Sequence, residues 1–132
     1  MKTNLDKLFK TNTNMEKDGI WFEVSDTVGF KIKRFGGANG PEIRKLSATL
    51  YKPYARQIDN GTMDAQKEKE LAVKAFVTTA VVDWRGVEID GVEVPFSKEK
   101  AISFFMELPE LLDTLIAYSS DMKNYKEDLG NS

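Results

Sequence analysis

The sequence has 132 residues, 41% of them hydrophobic, with 19 Lys and Arg against 21 Asp and Glu and with neither Cys nor His. That length supports one folded domain and leaves little chain for a second core, while the missing residues exclude disulfides, thiolate nucleophiles, Ser-His-Asp triads, imidazole bases and Cys- or His-ligated metals. The net charge of −2 argues against general affinity for nucleic acid, which depends on neutralising phosphates.

Residues 1–14 are polar and lack the apolar run of a signal peptide. The longest apolar-rich stretch, Leu71 to Val82, contains Lys74 and is far short of the roughly 20 residues that cross a bilayer. The expectation is a soluble, unexported protein with no membrane partner and no nucleic-acid partner. Beyond Leu5, Leu8 and Phe9, residues 1–17 show little periodicity and read as a short helix at most or a mobile arm, followed by a single globular domain over 18–132. Charge divides unevenly along the chain: residues 1–55 carry 10 basic and 6 acidic side chains, residues 56–132 carry 9 and 15. The two halves could attract within one chain or between copies.

Ile20, Phe22 and Val24 alternate with Trp21 and Glu23, as a strand requires, and Phe30, Ile32 and Arg34 alternate with Lys31, Lys33 and Phe35. Turn residues between them predict a hairpin. After the loop Gly36 to Gly40, Pro41 opens a helix whose apolar face is Ile43, Leu46, Leu50, Tyr54 and Ile58. Pro53 should kink or split it, and Asn60-Gly61 ends it. Thr62 or Asp64 can cap the next helix, which is predicted to run to about Val82 with Lys67, Glu68, Lys69 and Glu70 outward.

Two short runs, Val87 to Ile89 and Val92 to Val94, flank Asp90-Gly91, a strong two-residue hairpin signal. Ser97 caps a helix of about Lys98 to Leu108, and Pro109 starts a last helix predicted to reach about Glu127. Its stripe of Leu111, Leu115, Tyr118, Met122, Tyr125 and Leu129 must be buried, in the core or against another chain. The fold class is therefore α+β, a mainly helical single domain with two β-hairpins able to join into one small antiparallel sheet.

Three features could carry chemistry. The Gly36 to Gly40 loop before a helix could hold phosphate, but no Lys-Ser/Thr pair follows it, so loop punctuation is the stronger reading. Asp83, Glu88, Asp90 and Glu93 could act as acid and base or hold Mg²⁺, yet hairpin alternation and the turn already account for Glu88, Glu93 and Asp90. Lys31, Lys33 and Arg34 beside Phe30 and Phe35 could imitate a stacking platform for single strands. On an acidic chain they read better as a charged strand edge that blocks unwanted pairing. No catalytic residue, cofactor or metal site emerges. Trp84, at a junction between elements, reads first as a core plug.

The run Ala80-Val81-Val82-Asp83-Trp84-Arg85-Gly86-Val87-Glu88, then Asp90-Gly91, Val94-Pro95-Phe96-Ser97 and Ala101, resembles the tail assembly chaperones of long-tailed bacteriophages and prophages. In that family a helix leads into a V-x-D-W-x-G hairpin, a P-F-S helix cap and a final amphipathic helix. The likeness spans about residues 41–126 and includes Tyr51-Lys52-Pro53-Tyr54 and Gln57-Ile58. It implies a non-enzymatic protein of the host cytoplasm, absent from the mature virion, that keeps the tape-measure protein soluble, helps the tail-tube protein polymerise around it, and forms homo-oligomers.

Five methionines and the terminal stripe suit reversible cover of a helical client. The residues expected in the core or at a partner are Trp84, Leu111, Leu115, Tyr118 and Met122. Two other functions compete: a structural tail or head-to-tail connector subunit, and a small carboxylate-dependent metal-binding enzyme.

Overall fold

The computed structural model describes residues 3–126; Leu129, Glu127 and the outer ends of the 1–17 and 18–132 divisions lie outside them. Two short helices come first, α1 (Asn4–Phe9) and α2 (Thr13–Asp18). Thr3 and Asp6 form a reciprocal capping box at α1, and the Asn12 side chain accepts from the Met15 N–H to start α2. The boundary placed at residue 17 thus falls inside α2, and Glu16 on that helix is buried.

The predicted first hairpin forms from β1 (Ile20–Glu23) and β2 (Gly29–Ile32), with Ile20 opposite Ile32 and Glu23 opposite Gly29. Pro41 sits in the first turn of α3 (Gly40–Tyr51). Pro53 splits the helical run as expected: a 3-10 turn over Lys52–Tyr54 separates α3 from α4 (Ala55–Asp59), because proline removes a donor and crowds the preceding turn. The face formed by Ile43, Leu46 and Leu50 is only half-buried.

Asp64, rather than Thr62, caps α5 (Ala65–Ala80) by accepting from the Gln66 N–H. This helix stops two residues earlier than predicted. From Val81 the chain is strand β3 (Val81–Arg85), antiparallel to β2, with Phe30 opposite Trp84, Lys31 opposite Asp83 and Ile32 opposite Val81. The adjacent β-branched Val81 and Val82 favour extended backbone, and pairing with β2 determines the outcome. The sheet order is β1-β2-β3.

The second hairpin, β4 (Glu88–Ile89) and β5 (Val92–Glu93), remains a separate two-stranded sheet, so the first hairpin is joined by β3 and not by the second. Gly86 turns the chain away at φ +74°, where its missing Cβ lets the Thr27 carbonyl approach closely. Ser97 caps α6 (Lys98–Glu107) through the Lys100 N–H. Leu108 precedes Pro109 and leaves the helical region, making the corner into α7 (Pro109–Ser120).

The last helix ends at Ser120, short of the predicted extent. Asp121 is extended and its carboxylate accepts from the Lys123 N–H, restarting the chain as a 3-10 turn over Met122–Tyr125. The core lies between the three-stranded sheet and α5, α6 and α7. Its centre is Ile32, Phe76, Phe105 and Leu115, all fully enclosed, with Phe30, Val77, Val81 and Trp84 around them. Each large apolar side chain contributes about 1.5–3 kcal/mol when buried. Among the described residues no helix is long and apolar enough to cross a membrane.

Candidate functional site

The five residues singled out from sequence go to different places. Trp84 is buried on β3 and its indole N–H donates to the Val94 carbonyl at 2.9 Å. It lies edge-on to Phe30 and Phe96 and at a tilt to Phe104, so it fastens the second hairpin to the sheet and helix α6. Leu115 is fully enclosed in the core. Tyr118 is half-buried and stacks on Phe22 at 3.9 Å, and burial raises its hydroxyl pKa. Met122 is half-buried in the 3-10 turn beyond α7. Leu111 lines an open concavity.

That concavity is a groove of about 420 Å³ at the Glu23/Gly29/Arg85 end of the sheet. It is lined by Val24 and Val28, on either side of the β1–β2 turn, by Phe104, Leu108 and Leu111 from α6, the corner and α7, and by Phe30 and Val87. The turn is held by Val24 and Ser25 N–H groups donating to the Val28 carbonyl, and by the Ser25 hydroxyl accepting from Thr27 and Val28. Leu108 is 51% exposed because the corner before Pro109 projects it outward. Glu88 is the charged residue in the lining. A volume in the range of about 300–1,000 Å³, with apolar walls and few polar groups, suits apolar side chains of a ligand.

The opposite end of the sheet is closed. Glu16 and Arg34 form an ion pair, with Glu16 at 2% and Arg34 at 18% exposure. The Arg34 N–H donates to the Glu16 carbonyl, and the Asn39 side-chain amide donates to the carbonyls of both Glu16 and Arg34. Tyr125 is completely buried and its hydroxyl donates to the Ile32 carbonyl at 3.0 Å. Burial, reinforced by Tyr118, pushes its pKa well above the ordinary phenol value.

This closure accounts for the glycine loop. A Cβ on Gly37, which sits at φ +54°, would collide with the Arg34 guanidinium and the Glu16 carboxylate. The loop folds over a buried ion pair, leaving the phosphate reading without support. The carboxylates at the second hairpin are similarly placed by structure. Asp83 accepts from the Trp84 N–H, Glu93 accepts from the Gly86 N–H, and Glu88 lies opposite Glu93 in the β4–β5 register. Among the described residues no group of three or more carboxylates could hold a metal ion. Phe30 is buried and Phe35 packs edge-on against Phe76, so neither forms an exposed platform with Lys31 and Lys33.

Sequence reasoning identified Leu111 but missed Val28, Phe104 and Leu108 as groove residues. The available signals were an apolar residue immediately before Pro109 and valines bracketing the polar turn. A family model described as YdaY prophage protein matches residues 38–130 of the chain. No match was found among curated proteins or among solved structures.

Proposed function

The chain belongs to the YdaY prophage protein family, and from that premise we propose that it is a phage tail assembly chaperone acting by binding in the host cytoplasm. Its client is the tape-measure protein, which it keeps soluble while the tail-tube protein assembles, and it leaves before the virion is complete. The observation that carries this reading is the open apolar groove bounded by Val24, Val28, Phe104, Leu108 and Leu111. An amphipathic helix recognised in such a groove contributes anchors at spacings of three and four residues.

The Trp84 segment that resembles tail assembly chaperones falls within the span matched by the family model. Its structural role agrees with the groove, since Trp84 anchors the hairpin beside it. No catalytic step is assigned. The chain works by covering apolar surface that a long helical client exposes before assembly.

Co-expression with a tape-measure protein tests the proposal, comparing the wild type with Leu111→Asp. The wild type should move the client into the soluble fraction, and the variant should lose that effect while keeping its own fold by circular dichroism. A client equally insoluble with and without the wild-type chain would overturn it. Recovery of the chain in purified particles would favour a structural tail or connector subunit instead.

A further inference from the structure

An asparagine followed by glycine is especially prone to lose its side-chain amide, because glycine has no Cβ to shield its backbone nitrogen from the neighbouring amide carbon. The pair occurs twice, as Asn39-Gly40 and Asn60-Gly61. The two asparagines have nearly the same backbone, φ −91° and ψ 0° at Asn39 and φ −87° and ψ −4° at Asn60. Local conformation therefore does not separate them, and their surroundings do.

Asn39 is 4% exposed, and its amide nitrogen donates to the Glu16 carbonyl at 2.8 Å and to the Arg34 carbonyl at 2.9 Å. The Gly40 N–H donates to the Gly37 carbonyl, in the loop that folds over the Glu16–Arg34 ion pair. Asn60 is exposed at the end of α4, a helix with no buried residue, and its side-chain amide has no hydrogen-bond partner among the described residues. Gly61 sits at φ +67° with open space where a Cβ would stand. Three backbone bonds hold this turn: Asn60 N–H to the Arg56 carbonyl, Gly61 N–H to the Ile58 carbonyl and Thr62 N–H to the Gln57 carbonyl. An exposed helix end of this kind opens locally, whereas freeing Asn39 requires the closed end of the sheet to come apart.

We propose that Asn60 is a site of spontaneous deamidation in the folded chain and that Asn39 is not. Once the turn opens, the Gly61 backbone nitrogen gives up its proton to solvent base and attacks Cγ of Asn60. The N–Cγ bond forms, the Cγ–Nδ2 bond breaks, and Nδ2 takes a proton from water and leaves as ammonia, so that a cyclic succinimide remains. Water then opens the ring. Addition at Cγ gives aspartate at position 60, and addition at the main-chain carbonyl gives isoaspartate, whose main chain runs through Cβ. Either product places a new negative charge beside Asp59 at the C-terminal end of α4, where helix carbonyls disfavour it. Modification should therefore loosen the turn that joins α4 to α5.

Peptide mapping by mass spectrometry tests this on the full chain, after incubation at neutral and alkaline pH, in buffer and in urea. In buffer the peptide carrying Asn60 should gain the mass difference between an amide and an acid, and the peptide carrying Asn39 should keep its amide. Conversion at Asn60 should be faster at alkaline pH, since the attacking nitrogen must lose its proton. In urea both peptides should convert, because the protection of Asn39 belongs to the fold. Hydrogen exchange gives an independent reading: the Gly61 amide should exchange far faster than the Gly40 amide. Conversion of Asn39 as fast as Asn60 in buffer, an Asn60 that converts only in urea, or equal protection of the two glycine amides would each overturn the assignment.

Discussion

The two ends of the three-stranded sheet are built on opposite principles. At one end Glu16, Arg34, Asn39 and Tyr125 bring together residues from the first forty and the last ten described positions, and apart from the buried Arg34 Nε, which has no hydrogen-bond partner among the described residues, their side chains reach one another or a backbone carbonyl. At the other, Val24, Val28, Phe104, Leu108 and Leu111 surround an apolar groove that stays open. One end is completed within the chain and the other stays open. Under the proposed function the closed end carries stability and the open end binding, and substitutions can separate them.

Glu16→Ala should have the largest effect on stability. It leaves the mostly buried Arg34 cation without its counter-ion, and breaking a buried pair on one side costs about 3–5 kcal/mol, here toward the lower value because Arg34 is 18% exposed. Urea denaturation should show that loss, while the double change Glu16→Leu with Arg34→Met should recover part of it by removing the stranded charge. A loss below about 1 kcal/mol would mean that the pair does not close this end.

Gly86→Ala probes the groove end and should cost about 2–3 kcal/mol. The left-handed φ of +74° alone penalises a Cβ by about 1–2 kcal/mol, and that Cβ would strike the Thr27 carbonyl. Moving Thr27 displaces the turn that carries Val24 and Val28, so binding through the groove should fall along with stability. Unchanged binding in a destabilised variant would show that the wall made by this turn is dispensable.

Local chemistry made much of the fold legible. Pro53 marked the break between α3 and α4, Asp90-Gly91 the second hairpin, and Ser97 and Pro109 the starts of α6 and α7. What escaped depended on residues distant in sequence. Val81 and Val82 continue an apolar helical pattern, and only β2, some fifty residues earlier, draws them into a strand. Glu16 appears as one more charge in a polar arm until Arg34 and Gly37 enclose it.

The final stripe was a sound sign of burial but could not name the cover. Leu115 meets the core, Tyr118 meets Phe22, and Met122 follows the break imposed by Asp121. The groove was harder still, because it is assembled from two turns and two helices and has no periodicity of its own.

Tyr125→Phe should have the smallest effect at neutral pH and the most diagnostic pH dependence. It removes the hydroxyl that donates to the Ile32 carbonyl and should cost about 1 kcal/mol. In the wild type, burial raises the folded-state pKa above the ordinary value of 10.0. Below that value both folded and unfolded chains keep the proton, so this contribution to stability is fully present. Above it the unfolded chain ionises first, the folded chain holds more protons, and stability falls with pH by up to about 1.4 kcal/mol per unit from this group. Urea midpoints should therefore start lower for the variant and decline less steeply above pH 10, meeting the wild type within about one unit, since a deficit of about 1 kcal/mol is erased over that interval. Parallel slopes would show that Tyr125 does not govern the alkaline response of the closed end.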